Sequence, residues 1–420
     1  MDNDSINKIF GISESFKLPD ILMANLLNAN KRTELFDKFS NEDLQKDLFT
    51  NYFQEQHSNR ESMMQDFTPA ELGEVLVKSV GSFNSCRDVC AGTGGLTIKA
   101  WTQNPKAFFY TEELSERAFP ILLFNMAIRN MNGYAINKDV LTGHFIKGFK
   151  LDAGDTYSNI MEIYEEPECD KFDIVISNPP YSLKHEWNDE ETDPRFDGYS
   201  YPPTKAADYA FILHGLYYLK AGGSMGAILP HGILFRGSKE ETIRTKLIEN
   251  KKINAVIGLP DKLFLNTQIP VCILLLKDNS EDILFIDASK EFEKGSKQNK
   301  LTEENVKKII SVLNNRESVV KYSFKADFSY IRNNDFNLNI PRYVNSFEKK
   351  PLPDMDVILN EIADLNKQIE DTENKLFGYI SNLKANDPKD QLILEKHKSL
   401  LKKEKRNKST NDNISIFDLL

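Results

Sequence analysis

The residues with the plainest chemical meaning are Asn178, Pro179, Pro180 and Tyr181, which follow directly on the apolar run Asp173-Ile174-Val175-Ile176-Ser177. An amino group conjugated to an aromatic ring is planar, its lone pair is delocalised, and it attacks a methyl donor poorly. Hydrogen-bond acceptors correct this. The Asn178 side-chain oxygen and the Pro179 backbone carbonyl can take the two amine hydrogens, hold the nitrogen towards tetrahedral geometry and return its lone pair, which is electrostatic preorganisation for a transition state. The paired prolines fix the backbone around that carbonyl, and Tyr181 offers an aromatic face for an unstacked base. Taken alone, the tetrapeptide also reads as an ordinary turn, because Asn-Pro commonly opens a loop.

A second motif lies upstream, Asp88-Val89-Cys90-Ala91-Gly92-Thr93-Gly94-Gly95, followed by the helix-compatible run Leu96–Trp101. Glycines at a strand-to-helix turn let the backbone approach a ligand at the carboxyl ends of parallel strands. A dinucleotide fingerprint does not fit, since the G-x-G-x-x-G frame lacks its third glycine and no arginine or lysine is poised for a pyrophosphate. The motif looks instead like the S-adenosylmethionine loop of class I methyltransferases, with Asp88 as its leading acid. The next strand, Ala107-Phe108-Phe109-Tyr110, ends in Thr111-Glu112-Glu113, and an acid there can hold both ribose hydroxyls, Glu113 being the choice. A third strand, Gly133–Ile136, leads to Asp139, placed to accept from an adenine amine. Each acid alone reads equally as a helix cap or solvated turn; their serial placement at strand ends sets them apart.

With Gln65-Asp66-Phe67-Thr68-Pro69 ahead of the glycine loop, the order of motifs resembles that of γ-class amino methyltransferases. Within that class the chain resembles the modification subunit of type I restriction–modification systems, an adenine-N6 DNA methyltransferase. Further stretches carry the likeness: Asp193-Pro194-Arg195-Phe196, Ala207-Asp208-Tyr209-Ala210-Phe211 through His214, Leu229-Pro230-His231-Gly232 through Gly237, Ile257–Pro260, Ile269–Leu274 and Asn337–Tyr343. It spans roughly residues 60 to 345, and so many ordered matches do not arise by accident. The resemblance implies that Asn178, Pro179, Pro180 and Tyr181 form the catalytic turn, and that Thr68, Asp88, Gly92, Gly94, Glu113 and Asp139 occupy cofactor-motif positions for S-adenosylmethionine. It implies double-stranded DNA as substrate and a separate specificity subunit as partner, and leaves a restriction subunit open. Tyr181 stands where many relatives carry phenylalanine; both offer a face for stacking. Only about sixty residues precede the motifs, fewer than is usual in the family, which puts a DNA-clamping role for that region in doubt.

These motifs need elements to hold them. Residues 1–60 show apolar positions at helical spacing, as in Leu18, Leu22 and Leu26, and read as a short helical segment. Residues 61–345 alternate strands and helices, so the expected fold is α/β: a Rossmann-like class I methyltransferase with a mostly parallel sheet covered by helices on both faces. From Tyr181 to Lys205 runs a breaker-rich acidic loop with Glu186, Asp189, Glu190, Glu191 and Asp193. Beside a catalytic turn a loop of this length is commonly functional and can order around a flipped base. Residues 346–420 form a helical C-terminal segment. In it Ile358, Ile362, Leu365, Ile369, Thr372, Leu376, Tyr379 and Leu383 recur at alternating steps of four and three, a heptad seam that must bury itself on its own domain or on a partner helix. Pro388 breaks the run, Leu392–Leu401 can fold back as a second helix, and the basic stretch Lys396–Lys408 reads as a solvated helix end with a disordered tail. In type I modification subunits such C-terminal helices engage the specificity subunit, so the resemblance favours a partner.

The 420-residue chain predicts two or three folding units. Without an eighteen-residue apolar run or a signal-peptide pattern at Met1-Asp2-Asn3-Asp4-Ser5, it is expected to be cytoplasmic and away from membranes. Cys86, Cys90, Cys169 and Cys272 lack zinc-type pairing and read as reduced packing residues; no metal is expected, and His185 and His231 read as structural. The net charge of −10 is unusual for a protein acting on DNA by itself, because phosphate contacts favour basic surfaces. Either a partner supplies most DNA contacts or DNA is not the substrate. The reading that unites these features is a DNA adenine-N6 methyltransferase subunit. Its alternatives are an enzyme acting alone on another planar amine, such as cytosine N4 or a protein glutamine, and a non-catalytic cofactor-binding scaffold.

Overall fold

Strands apolar over most of their length, such as Phe172–Ser177 and Val271–Lys277, bury both faces and therefore belong in the middle of a sheet. The computed structural model describes residues 3–49, 52, 68–187, 192–265, 267–278, 280–296, 298–346, 354–385 and 387–411. Its strands are β1 Ser85–Val89, β2 Phe108–Glu113, β3 Asn132–Lys138, β4 Phe145–Asp152, β5 Asn159–Ile163, β6 Phe172–Ser177, β7 Leu219–Pro230, β8 Ile253–Gly258, β9 Val271–Lys277, β10 Asp282–Asp287 and β11 Ser323–Asp327. All eleven join in one sheet of order β11-β10-β8-β9-β7-β6-β1-β2-β3-β4-β5.

The central run β7-β6-β1-β2-β3 is parallel throughout. Outside it, only β8 and β10 pair parallel; the other five pairings are antiparallel, so the expected mostly parallel sheet is true of the centre and the whole is mixed. Short connections after β3 and β4 allow hairpin-like returns, whereas β7 with β9 and β10 with β11 pair antiparallel across longer stretches of chain. β2 also runs further than its apolar run suggested, so that Glu112 and Glu113 lie within the strand.

The helices are α1 Asn3–Phe10, α2 Leu18–Leu27, α3 Ala29–Lys38, α4 Ala70–Val80, α5 Gly95–Gln103, α6 Phe119–Ile128, α7 Asp208–Tyr217, α8 Lys239–Glu249, α9 Glu303–Asn315, α10 Phe328–Asn333, α11 Met355–Asn382 and α12 Pro388–Asn411. Alternation along β6 separates two cores. Ile174 and Ile176 face one that holds Leu76 of α4, Leu96 of α5, Phe124 of α6 and Ile309 of α9. Val175 faces the other, with Phe211 of α7 and Leu247 of α8. The N-terminal helices join the first core, where Phe36, Phe39 and Phe49 pack edge-on against Phe124 at centroid distances of 5.5, 5.0 and 5.2 Å.

The chain divides into two compact units, Met1–Phe347 and Glu348–Leu420. In the second, α11 carries the heptad seam with no buried residue. Pro388 opens α12 instead of merely interrupting a helix, as suits a residue lacking an N–H in the first turn. Lys398 of α12 donates to the carbonyls of Ser381 and Leu383 at 3.0 and 2.9 Å, which neutralises the α11 C-terminus and folds the pair into a hairpin. The basic stretch from Lys396 stays helical to Asn411, and the remainder of the expected tail lies outside the described residues. Among the described residues no helix is long and apolar enough to cross a membrane.

Candidate functional site

Sheet register brings the two motifs together. β1 pairs with β6 so that Val89 stands beside Ser177, and the Ser177 hydroxyl donates to the Val89 carbonyl at 2.7 Å. One residue further on, the glycine turn leaves β1 and the Asn-Pro-Pro-Tyr turn leaves β6. β2 pairs on the other side of β1, with Glu112 opposite Val89. The carboxyl ends of β6, β1, β2 and β3 thus form one rim, the place where open α/β sheets bind ligands.

Along this rim the glycine turn requires glycine at two points. Gly92 has φ of +60° and Gly94 +96°, both in the left-handed region, and Gly94 is the N-cap of α5. The space beside Gly92 is open, since a Cβ there would meet nothing within 4 Å. Glu113 holds the turn from below: its Oε2 accepts the Gly92 N–H at 2.7 Å and its Oε1 accepts the Ser115 N–H at 2.6 Å. From the N-terminal segment Asp47 reaches the same turn, accepting from the Thr93 hydroxyl at 2.6 Å and from Asn125 Nδ2 at 3.0 Å. Sequence patterns did not signal Asp47, whose role arises only from long-range packing.

Asp88 is fully buried, and its Oδ2 accepts the Thr97 hydroxyl of α5 at 2.6 Å. Its Oδ1 has no partner among the described residues, and neither does the buried Oδ1 of Asn137 at the end of β3. Burial, with Glu113 adding to it, pushes the Asp88 carboxyl up to about 7. Asn137 donates Nδ2 to the carbonyls of Glu113 and Leu114 at 2.7 and 3.0 Å, fixing the end of β2. Asp139, just past β3, closes its own turn by accepting the Leu141 N–H at 2.9 Å. Open space at Gly92 and an orphaned buried oxygen on Asp88 fit a polar nucleoside with a cationic end. A cleft of about 800 Å³ lined by Asp47, Thr68, Gly95, Lys99 and Leu263 adjoins the turn and is within the size range of small-molecule sites.

In the Asn-Pro-Pro-Tyr turn, Asn178 donates Nδ2 to the Thr68 hydroxyl at 2.8 Å, which aims its Oδ1 the other way. Tyr181 donates its hydroxyl to that Oδ1 at 2.9 Å and packs edge-on against Phe264 at 6.2 Å. Thr68, read from sequence with the cofactor motifs, thus orients Asn178; Gln65, Asp66 and Phe67 lie outside the described residues. Ser182, the next residue, has φ of +52° and needs outside support. Asp208, wholly buried at the start of α7, accepts the Ser182 N–H at 2.9 Å, and Arg236 bridges Asp208 at 3.1 Å and the Ser182 hydroxyl at 3.2 Å. Both belong to stretches noted above only for their resemblance.

Asp193 is paired with Arg195 at 2.6 Å, and Asp189, Glu190 and Glu191 lie outside the described residues. Among the described residues no group of three or more His, Cys, Asp or Glu is arranged to hold a metal. The four cysteines are free, and burial raises the thiol pKa of each. His231 bonds the Val271 carbonyl through Nε2 at 3.0 Å.

A family model described as N-6 DNA Methylase matches residues 41–351. The Type I restriction enzyme MpnII methylase subunit of Mycoplasma pneumoniae is 30% identical over 340 residues, covering 76% of this chain and 60% of its own length. The MjaVII methylase subunit of Methanocaldococcus jannaschii is 29% identical over 340 residues, covering 76% of this chain and 56% of its own. This chain thus spans under two thirds of the length of these curated relatives. A solved structure of the methyltransferase subunit of a type I restriction-modification system from Streptococcus thermophilus superposes with a TM-score of 0.59 at 30% identity, covering 76% of this chain and 69% of that one.

Proposed function

Because the chain belongs to the N-6 DNA methylase family, we propose that it transfers a methyl group from S-adenosylmethionine to adenine N6 in DNA, as the modification subunit of a cytoplasmic type I restriction–modification system. The observation that carries this reading is the register of β1 and β6, which sets the Asn178–Tyr181 turn beside the glycine turn with Asn178 oriented by Thr68. Mass spectrometry of nucleosides from DNA treated with the assembled enzyme is expected to find N6-methyladenine. N4-methylcytosine alone would move the assignment to the cytosine amine, and cofactor binding without methyl incorporation would leave a scaffold.

Bound S-adenosylmethionine supplies an electrophilic methyl group, so the chain need not activate the donor. Its own residues prepare the acceptor. An adenine flipped from the duplex stacks on Tyr181, and its amine hydrogens are taken by Asn178 Oδ1 and the Pro179 carbonyl. In the present structure the Tyr181 hydroxyl occupies one lone pair of Asn178 Oδ1. An amide oxygen has two, so an amine hydrogen can be accepted beside the hydroxyl or in its place. Proline on both sides of the Pro179 carbonyl limits its swing, while Asp208 and Arg236 fix the exit from the turn at Ser182. No strong general base is required, because the amine becomes acidic as it is alkylated and its surplus proton passes to water.

Glu113 suits the ribose hydroxyls, Asp139 the adenine amine, and Asp88 the cationic methionine end. The Asp88 assignment makes pH a test. Its folded pKa of about 7 lies above the ordinary 3.8, so the stability it contributes to the unliganded chain is complete below 3.8 and lost as pH rises through about 7. Cofactor affinity should run the opposite way, because a cationic ligand favours the ionised carboxylate and binding releases a proton. Calorimetric affinity is expected to rise up to about pH 7 and then level off, with Asp88→Asn removing the slope. An unchanged slope in that variant would reassign the residue.

The expected macromolecular partners are double-stranded DNA, a specificity subunit and, in a complete system, a restriction subunit. The net charge of −10 argues that another chain carries much of the DNA backbone contact. The α11 seam is the surface for that chain: Ile362, Leu365, Ile369, Leu376 and Tyr379 are all solvent-exposed.

A further inference from the structure

Asp193-Pro194-Arg195-Phe196 and His214 have no part in the chemistry above, yet the Arg195 side chain is only 13% exposed and uses every N–H it has. Its Nε donates to both oxygens of Asp193 at 3.0 Å. Its Nη2 donates to Asp193 Oδ2 at 2.6 Å and to the Leu141 carbonyl at 2.8 Å. Its Nη1 donates to the Val140 carbonyl and meets His214 Nδ1 at 3.1 Å. A guanidinium has no acceptor, so His214 Nδ1 must accept and the ring proton sits on Nε2, which faces the two Glu112 oxygens at 3.0 and 3.2 Å. Burial lowers the His214 pKa, against the pull of Glu112, in keeping with this neutral tautomer. Glu112 is in turn gripped by Arg87 through Nε at 3.0 Å and Nη2 at 2.7 Å.

What this cluster joins is more informative than the cluster itself. Val140 and Leu141 form the turn that Asp139 closes from the inside, through its bond to the Leu141 N–H at 2.9 Å and that of Gly143 to the Asp139 carbonyl at 2.8 Å. Arg195 grips the outward carbonyls of that turn. Its own loop returns to the catalytic turn's exit, where the Ala207 N–H donates to the Leu183 carbonyl and the His185 N–H donates to the Thr204 carbonyl, both at 2.9 Å. The loop also has a small aromatic core: Phe196 lies edge-on to Trp187 at 5.2 Å and to Tyr201 at 5.1 Å. One side chain therefore bonds simultaneously to the adenine-side turn and to the substrate-side loop.

We propose that Arg195 is a positioning residue that ties residues 192–206 to the Asp139 turn, so that cofactor binding and the ordering of this loop behind the catalytic turn promote each other. The proposal rests on the cofactor assignment made above. A ligand that quiets the Asp139 turn removes part of the entropy that Arg195 must overcome to hold it, and the effect is reciprocal. Lysine cannot replace the fork, because a single ammonium cannot span two carbonyls, a carboxylate and an imidazole at once.

Amide hydrogen exchange on the full chain tests this with S-adenosylmethionine as the probe. In the wild type, saturating S-adenosylmethionine should slow exchange across 192–206 by about tenfold. Arg195→Lys should abolish that response and weaken S-adenosylmethionine by a similar factor of about ten, while amides of β1 and β6 remain as protected as before. Equal factors in the two measurements distinguish coupling from a general loosening, which would expose the core strands. Binding without slowing in the wild type overturns the coupling, and so does a full response in Arg195→Lys. If the wild-type chain does not bind S-adenosylmethionine at all, the cofactor assignment falls and the coupling with it.

Discussion

Asn178→Ala is expected to lower methyl transfer by about 10²–10³-fold, the usual cost of removing a preorganised oxyanion-type contact, while S-adenosylmethionine affinity stays within about twofold. The reason lies in where the side chain points. Thr68 holds its Nδ2, so Oδ1 is committed to an acceptor role at the turn, 2.9 Å from the Tyr181 hydroxyl. An acceptor that matters only as the amine becomes tetrahedral is used in the transition state and hardly in the ground state, so kcat falls and KM moves little. Thr68→Val should reproduce a smaller part of the loss, since the amide keeps its oxygen but loses its orienting partner. Single-turnover methyl transfer measured beside calorimetric cofactor binding separates the two effects. A parallel loss of affinity in Asn178→Ala would show that the residue serves the cofactor instead.

The second large effect concerns assembly. Charged replacements at Ile362 and Ile369, as Ile362→Asp with Ile369→Asp, should abolish association with the specificity subunit and with it sequence-specific DNA methylation. Ile369 is 55% exposed and α11 buries none of its residues, so the double substitution places two charges on a surface already in water and costs the isolated chain little. In a helix–helix interface the same charges would lose their hydration without a partner, which is severely unfavourable. Cofactor binding should survive, because the seam belongs to the unit Glu348–Leu420 and the glycine turn to Met1–Phe347. Co-purification and gel-shift assays of the variant with its partner, set against calorimetry on the chain alone, provide the readouts. Full sequence-specific methylation by a chain lacking residues 348–420 would contradict the idea and indicate an enzyme that works alone.

The parts of this protein legible from sequence are those encoded in short, contiguous stretches. The apolar run that ends in Ser177-Asn178-Pro179-Pro180-Tyr181 carries both a strand and the turn that follows it, and the glycines of Asp88-Val89-Cys90-Ala91-Gly92-Thr93-Gly94 carry a turn, because backbone conformation at glycine and proline is a local property. Serial acids after successive strands likewise marked Glu113 and Asp139, and helical spacing marked the α11 seam. What local pattern could not decide was which distant groups would meet. The mixed sheet depends on which strand edges pair. Asp47 meets Thr93 across 46 positions, and Asn178 meets Thr68 across 110. Asp208 and Arg236 did leave one signal, a charge set within apolar runs, since a buried charge must find a partner; the sequence names no partner for it. His214 shows the limit most clearly. In sequence it stands inside an apolar helical stretch, and only folding places it between Glu112 and Arg195, where the geometry of two fixed neighbours dictates its tautomer. Local sterics wrote the turns into the sequence, whereas pairing, burial and protonation depend on long-range contacts that exist only once the chain has folded.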